Sequence, residues 1–489
     1  MANITWNILV DWNNDGTLEG NEKTYFRDIY IKRGKDFFLE KAGGGFYHTD
    51  VGECNILLDN QSWRYSPLNS SSPLYPNVKP GRKVTVRANY NSVDYDIFTG
   101  FIQDIVPSGT VERTVSIKVL DSLQWLKEQK NVKIEAQIAK TAKDCLSLGL
   151  AAAGWIEAKQ GVFDFESLGE YQDYFWLADA DLYNSVMEFV DAHLGRLFVS
   201  GDGKLHFHSR NRNPSSAHTF TESEVSKDIN LVMPWHTIRN VIDVWCYPLS
   251  IGSEGILWQL SEPYYIKASE TVVWDIKYQA NGKDCGGLDI VTLVASDDYW
   301  ASSTLDVWGF EETGNLSVSV AYHATGARYT ITNTISTRGF WILWFRQRGK
   351  PLYFGQPQLI SVSDATSITA YQAKKFVLDV PMLHDANWAA NLASFLLGIL
   401  KVPREYPKIT LINQPALIFG ADLGVRHTLN FPTIGVSSVL YELAGIEIKL
   451  DNQMPNVPVA TFTYELPYRT GGTYWTFSTN IGTNSYFAF

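Results

Sequence analysis

Residues 83–120 read KVTVRANYNSVDYDIFTGFIQDIVPSGTVERTVSIKVL. Apolar and polar side chains alternate in three pieces of this stretch, at 83–89, 94–105 and 111–120, and the turn Pro107-Ser108-Gly109 separates the last two. Alternation with a period of two is typical of strands that bury one face. The stretch therefore predicts a run of short strands.

The same pattern extends toward the N-terminus, at residues 4–10, 25–32 and 52–58. Together with 83–120 this makes six short strands in about 120 residues, a density that favours a closed or nearly closed barrel. Helical signals follow. Residues 121–129 and 182–194 fit short helices, Thr141 can cap another with Asp144 at its third position, and residues 196–210 read as a hairpin around Gly201-Asp202-Gly203.

Strand patterns resume at 241–247 and continue from about 251 to 364. Asp385 can cap a helix that runs to about residue 400 and ends before Pro403. Its predicted apolar stripe consists of Trp388, Leu392, Phe395, Leu396 and Ile399.

These patterns predict a mainly β protein with a small α+β insert, built from two tube-like β-barrel domains plus an inserted β-sandwich. The predicted units are a first barrel at 1–130, an α+β domain at 131–225, a second barrel formed by 226–250 with 366–467, a sandwich at 251–365 and an aromatic C-terminal arm at 468–489.

Composition narrows the functional classes. The chain has 489 residues, 45% hydrophobic and 19% charged, which is enough apolar surface for several cores. Its net charge of −11 opposes non-specific binding to nucleic acid. The four scattered cysteines form no metal motif or dense disulfide framework, so we expect folding in a reducing cytosol. We expect neither a signal peptide nor a membrane-spanning segment.

One motif suggests a metal. Asp11, Asn13, Asp15, Gly16 and Glu22 match the first, third, fifth, sixth and twelfth positions of the calcium loop D-x-[DN]-x-[DN]-G-x5-E. Strands rather than helices flank it, and Asn-Asn-Asp-Gly is also a strong hairpin turn. A calcium site and a plain turn both remain open, and no other cofactor is expected.

Other chemistry has weaker signals, and no catalytic residue is predicted. His206 and His208 lie on one strand face and could ligate a metal, but the pattern also suits an ordinary strand. The acidic pairs Asp179 with Asp181 and Glu311 with Glu312 could serve a glycosidase or be solvated loop charges.

Aromatic residues of the predicted sandwich leave a further alternative open. Trp300, Trp308, Trp341 and Trp344 could form sugar-stacking platforms, or they could pack in a core, since Phe340, Ile342 and Trp344 alternate as one buried strand face would. A carbohydrate-active enzyme and a glycan- or receptor-binding β-protein of the virion are therefore alternative functions.

Several segments, taken in order, resemble the hub or tip proteins of long-tailed phages and prophages. They are VDWNNDG at 10–16, GECNILLDNQSWRYSPLNSSSPLYPNVKPGRKVTVRA at 52–88, DIFTGFIQDIVPSG at 96–109, VSIKVLDSLQWL at 115–126, NSVMEFVDAHLGRLFVSGDGKLHFHSR at 184–210, IRNVIDVW at 238–245 and ANWAANLASFLLGILKVPREYPKITL at 386–411.

The resemblance implies a non-enzymatic structural protein of the virion tail, assembled in the cytoplasm of the bacterial host. It implies two tube-like barrels per subunit, so that a homotrimer presents six barrels and joins a six-fold tail tube to a three-fold tip. The implied partners are other copies of the chain, a tail tube or distal tail protein, a central tip or fibre protein, and DNA passing through the lumen. The 251–365 insert and the 468–489 arm depart from the simplest hubs.

Overall fold

A computed structural model of the chain describes residues 4–35, 49–109, 112–167, 171–225, 229–451 and 457–467. Strands make up 48% and helices 17% of it, which confirms the predicted mainly β fold. The predicted arm at 468–489 lies outside the described residues. Among those that are described, none of the helices combines the length and apolar character that crossing a bilayer requires.

The strands are numbered in chain order. β1–β7 are Ile4–Val10, Gly20–Asn21, Phe26–Gly34, Asp50–Asp59, Lys83–Tyr90, Val93–Ser108 and Thr114–Leu120. β8–β15 are Val132–Thr141, Phe163–Phe165, Tyr171–Ala180, Arg196–Val199, Leu205–His208, Thr219–Thr221, Asn230–Val232 and Val241–Cys246. β16–β23 are Leu249–Ile251, Gly255–Gln259, Tyr264–Ile266, Thr271–Lys277, Gln279–Ala280, Lys283–Asp284, Gly286–Leu288 and Tyr299–Ser302. β24–β32 are Leu316–His323, Gly326–Asn333, Phe340–Phe354, Gln358–Ser363, Lys375–Asp379, Tyr406–Ile412, Arg426–Phe431, Val436–Asp451 and Val459–Glu465.

The α-helices α1–α7 are Ser122–Glu128, Ala142–Ala152, Glu157–Gln160, Leu182–His193, Ala365–Tyr371, Ala386–Leu400 and Pro415–Gly420. Short 3-10 turns lie at Lys23–Tyr25, Trp235–Thr237, Thr313–Asn315 and Pro432–Ile434. The predicted caps are present: the Thr141 hydroxyl accepts from the Asp144 N–H, and the Asp385 carboxylate accepts from the first turn of α6. Local side-chain chemistry thus fixes where these helices begin.

One large sheet organises the molecule. Its thirteen strands follow the path β14-β29-β32-β31-β3-β4-β7-β6-β5-β1-β2, with β30 paired to β31 and β13 to β30. Strands from both ends of the chain meet where β3 runs antiparallel to β31, from Asp28 opposite Asp451 to Gly34 opposite Gly445. Side chains of both strand sets share one core, from Ile29 and Ile56 to Ile446 and Phe462.

A second core contains α1, α2, α4 and β8–β12, together with β15, β28 and α6. The sequence predicts β15, β28 and α6 within the second barrel, and the structure corrects this placement. Leu392 and Leu396 of α6 are buried in one cluster with Ile242 and Val244 of β15, so the apolar face of this helix covers that strand.

The predicted stripe of α6 is also shifted. Its buried residues are Ala389, Leu392, Ala393, Leu396 and Leu400. Trp388, Phe395 and Ile399 are only partly buried and pack at the flanks of the cluster. The small alanines let the helix axis lie close to its neighbours, which places the larger residues at the side of the contact.

The insert has its own core. β26 pairs with β16, β17, β18, β22 and β23, and a separate three-stranded sheet has the order β19-β25-β24. The predicted buried face of β26 holds for Phe340 and Ile342 but not for Trp344. A register shift between Trp300 and Ala301 of β23 interrupts the alternation, and Phe345 is the next buried residue.

Candidate functional site

The seam between β3 and β31 depends on two glycines. Gly34 has φ +89°, and a Cβ there would lie 2.2 Å from the Ala444 carbonyl oxygen. A Cβ on Gly445 would lie 2.7 Å from the Lys35 carbonyl oxygen. The Lys35 N–H donates to the Ala444 carbonyl at 2.8 Å. The two backbones approach so closely that only glycine fits on either side.

An ion pair reinforces the seam. Arg33 of β3 donates to Oδ1 of Asp422 at 2.6 Å, and Oδ2 of Asp422 accepts from the Gly201 N–H at 3.1 Å. Arg33 is only 4% exposed, so removing its partner would leave a buried cation. Asp422 therefore ties three parts of the chain together: β3, the β11–β12 hairpin and the segment before β30.

A second network joins the α+β part to the large sheet. Arg196 of β11 pairs with Glu465 and, at 2.9 Å, with Glu442. Arg426 of β30 donates to the same Glu442 at 3.2 Å and to the Asn213 amide oxygen at 2.6 Å. Because these charges are largely buried and mutually compensated, the two parts are held in one fixed arrangement.

The predicted calcium loop is a compact turn between β1 and β2. Asp11 accepts the N–H groups of Asp15 and Gly16 at 3.2 and 2.9 Å, and Asn13 donates to Asp15 at 2.9 Å. The Thr17 N–H, donating to the Asp15 carboxylate, lowers the pKa of that group. The acidic side chains of the loop thus already accept hydrogen bonds from its own backbone and side chains.

Glu22, the predicted twelfth ligand, is 1% exposed and has other donors. It accepts from Trp12 Nε1 at 2.8 Å, from the Tyr65 hydroxyl at 2.5 Å and from the Arg64 guanidinium at 3.3 Å. Burial, and then the nearby Glu22 carboxylate, raise the pKa of Tyr65. Glu22 thereby anchors the long β4–β5 loop to the edge of the sheet.

Within the residues that the structure describes, no group of three or more His, Cys, Asp or Glu side chains is arranged to hold a metal ion. In this conformation, calcium binding by Asp11, Asn13, Asp15 and Glu22 would require Glu22 to leave Arg64 and Tyr65. The calcium site stays a prediction.

His206 and His208 have ordinary polar partners. His206 Nε2 lies 3.2 Å from Ser200 Oγ, and His208 Nδ1 lies 3.0 Å from an Arg212 nitrogen. Burial, and then the Arg212 charge, lower the pKa of His208 to about 2. A ring nitrogen that faces a guanidinium is a poor cation ligand, so the geometry favours the structural interpretation.

The predicted acidic pairs are divided between separate tasks. Asp181 caps α4 and pairs with Lys130, whereas Asp179 pairs with Lys133 at 3.0 Å. Glu312 is buried and accepts from Arg338 at 2.9 Å. Glu311 is exposed. These contacts give the carboxylates structural roles.

The four tryptophans of the insert behave differently from one another. Trp300 and Trp344 stack on each other at 5.6 Å and are partly buried. Trp341 packs edge-on against Tyr265 at 5.1 Å. Trp308 is 91% exposed on a loop. Neither of the two sequence interpretations, platform or core, describes all four.

The sequence matches no known protein family, and no curated protein matches it either. Among solved structures, the tail protein from Neisseria meningitidis MC58 superposes with a TM-score of 0.50 at 8% identity, over 95% of this chain and 96% of that one. The chain has the fold of a tail protein. This likeness confirms the predicted resemblance at the level of the fold.

Two other solved structures are also tail proteins. The 43 kDa tail protein of prophage MuSo2 from Shewanella oneidensis has a TM-score of 0.49 at 11% identity, covering 95% of this chain and 99% of that one. Prophage tail protein gp18 from Listeria monocytogenes EGD-e has a TM-score of 0.45 at 6% identity, covering 94% of each chain.

Sequence reasoning missed the residues that build the seam of this tail-protein fold. Arg33 and Asp422 are 389 positions apart, so no local spacing connects them. Gly34 follows Arg33 at the end of a strand pattern, which is a turn signal and says nothing of a distant partner. Only a known pairing of β3 with β31 would have identified these residues.

Proposed function

We propose that the chain is a structural subunit of a phage-type tail, and more specifically the hub at the tail tip or baseplate. The observation that carries this proposal is the β3–β31 seam, which joins N-terminal and C-terminal strand sets into one sheet within a tail-protein fold. A tube wall needs repeated β-units held at a fixed angle. The seam glycines and the Arg33–Asp422 pair provide such a connection.

The proposed assembly is a homotrimer in which each chain contributes two tube-like barrels. Three copies then present six similar units, enough to join a six-fold tail tube to a three-fold tip. The strand path has two different ends, β1 with β2 and β14. A contact between unlike surfaces of identical copies generates a ring when the rotation closes, and it also covers exposed strand edges.

The proposed neighbours are a tail tube or distal tail protein on one side and a central tip or fibre protein on the other. DNA would pass through the lumen without being gripped, because a net charge of −11 repels phosphate across a narrow passage. The proposed location is the virion tail, after assembly in the host cytoplasm. No catalytic step is proposed, since the candidate carboxylates and histidines have structural partners.

Counting copies in assembled particles tests the proposal. Purified tails would be digested together with isotope-labelled peptides of the chain and of the tail-tube subunit, and both would be quantified by mass spectrometry. We expect three copies per tail, or six if two rings are stacked. A copy number that is not a multiple of three, or absence from the particles, would refute a hub.

A further inference from the structure

The loop at 303–310, which follows β23 in the insert, has its apolar side chains on the outside. Trp308 is 91% exposed and Phe310 83%, and Leu305 and Val307 are also exposed. We call these four residues the apolar tip. Large apolar side chains gathered in one exposed patch usually mark a contact surface.

The polar groups of this loop point inward and bond to one another. The Ser303 N–H donates to the Phe310 carbonyl and the Phe310 N–H to Ser303 Oγ, both at 2.9 Å. Oδ1 of Asp306 accepts from the Thr304 hydroxyl at 2.8 Å and from the Trp308 N–H at 3.0 Å. The loop therefore satisfies much of its own hydrogen bonding without water.

The backbone also closes tightly. A Cβ on Gly309 would lie 2.2 Å from Thr304 Oγ1 and 2.5 Å from Ser302 Oγ, so two hydroxyls pack directly on this glycine. The apolar tip is consequently presented by a built loop and pays little ordering entropy when it binds.

This polarity identifies the kind of surface that the loop fits. A sugar is recognised by outward polar groups that bond its hydroxyls, but here the acceptors of Ser303 and Asp306 are engaged within the loop. A lipid bilayer has the opposite requirement, because polar groups that enter it must be satisfied internally. It also surrounds a convex tip on all sides, and tryptophan is favoured at its interface.

We propose that the apolar tip inserts into the interfacial layer of a lipid membrane. The inference goes beyond the proposed hub function and does not depend on it. Asp306 is the single charged residue at 303–310, and the whole chain carries −11. Attraction to anionic headgroups is therefore not the driving force, and zwitterionic lipid is the preferred surface.

Flotation of the full chain with phosphatidylcholine vesicles tests the proposal. The wild type is expected to float with the vesicles, and less so when phosphatidylglycerol is added. The double variant Trp308→Ser with Phe310→Ser keeps the backbone hydrogen bonds of the loop and is expected to bind at least about tenfold more weakly. A wild type that does not float, or a double variant that binds equally well, would overturn the proposal.

Two further variants serve as controls. Trp235 is 62% exposed in a different part of the chain, so Trp235→Ser is expected to bind vesicles like the wild type. Asp306→Asn keeps the Oδ1 acceptor and removes the charge, so its binding is expected to be unchanged or tighter, most of all on vesicles with phosphatidylglycerol. A loss in either control as large as that of the double variant would contradict insertion by the apolar tip.

Discussion

Arg33 and Asp422 form an ion pair of 2.6 Å across the seam that joins the N-terminal and C-terminal strands of one sheet. The same carboxylate accepts from the Gly201 N–H, so one side chain fixes β3, the segment before β30 and the β11–β12 hairpin relative to one another. For a subunit whose proposed task is to hold repeated β-units at a constant angle, this is the contact on which the geometry depends.

Replacing Asp422 should therefore destabilise the fold. Asp422→Ala leaves the buried Arg33 cation unpaired, and we expect a loss of about 3 kcal/mol in the free energy of unfolding, measured in urea. Asp275→Ala is the matched control, because it breaks an ion pair with Arg328 in which both side chains are more than half exposed. Its expected cost is below about 1 kcal/mol. Equal costs would show that the buried pair has no special role.

The close approach at Gly34 gives a second prediction. Gly34 and Gly81 have similar positive φ values, +89° and +80°, but a Cβ meets the Ala444 carbonyl at the first and nothing within 4 Å at the second. Both alanine variants share a backbone cost of about 1–2 kcal/mol. We expect Gly34→Ala to lose about 1–3 kcal/mol more than Gly81→Ala in thermal unfolding. Similar melting temperatures for the two variants would argue against the seam.

Calcium binding at the Asp11–Glu22 loop is expected to be weak. Glu22 must first leave Trp12, Arg64 and Tyr65, and this cost predicts a dissociation constant in the range of about 10⁻⁴ M or weaker. Isothermal titration with calcium measures it, with Asp11→Asn as the control for site specificity. Submicromolar binding that Asp11→Asn abolishes would show instead that a competent site is already formed.

Asp121 makes stability depend on pH. It caps α1 through the Leu123 N–H at 2.9 Å and also accepts from the Gly52 N–H at 2.6 Å, and its burial raises its pKa to about 7. Because this value lies above 3.8, the folded state holds the proton longer than the unfolded state. The resulting stabilisation is complete below about pH 4 and is lost as the pH rises through 7.

Asp121→Asn still provides a capping oxygen but does not titrate. Relative to this variant, the wild type should lose about 1–3 kcal/mol of unfolding free energy between pH 5 and pH 8. Urea titrations at several pH values measure the difference. Parallel pH profiles for the two proteins would mean that Asp121 is already ionised at pH 5.

Local signals in the sequence predicted much of the fold. The caps Thr141 and Asp385 and the alternation in β1 and β5 depend on nearest neighbours, and the structure has those elements where they were expected. Pro415 at the start of α7 is a helix signal that the sequence analysis did not use. The pair β8 and β10 has irregular register, and its mixed pattern of burial hid both strands.

What the sequence could not reveal depends on pairing between distant segments. The assignment of β15 and α6 to the second core follows from which strand the helix covers, and the shift at Trp344 follows from a bulge in the partner strand. The placement of Glu22 beside Arg64 and Tyr65 was likewise invisible, because its spacing from Asp11 equally fits a calcium loop. Division into two separate barrels and a sandwich stays a prediction.

Association of identical copies into a ring is the central claim, and the native mass of the purified full chain tests it most directly. Native mass spectrometry at micromolar concentration should give a species of three times the 55.1 kDa subunit mass. A protein that remains strictly monomeric under these conditions, and also in the presence of the neighbouring tail proteins, would contradict the account.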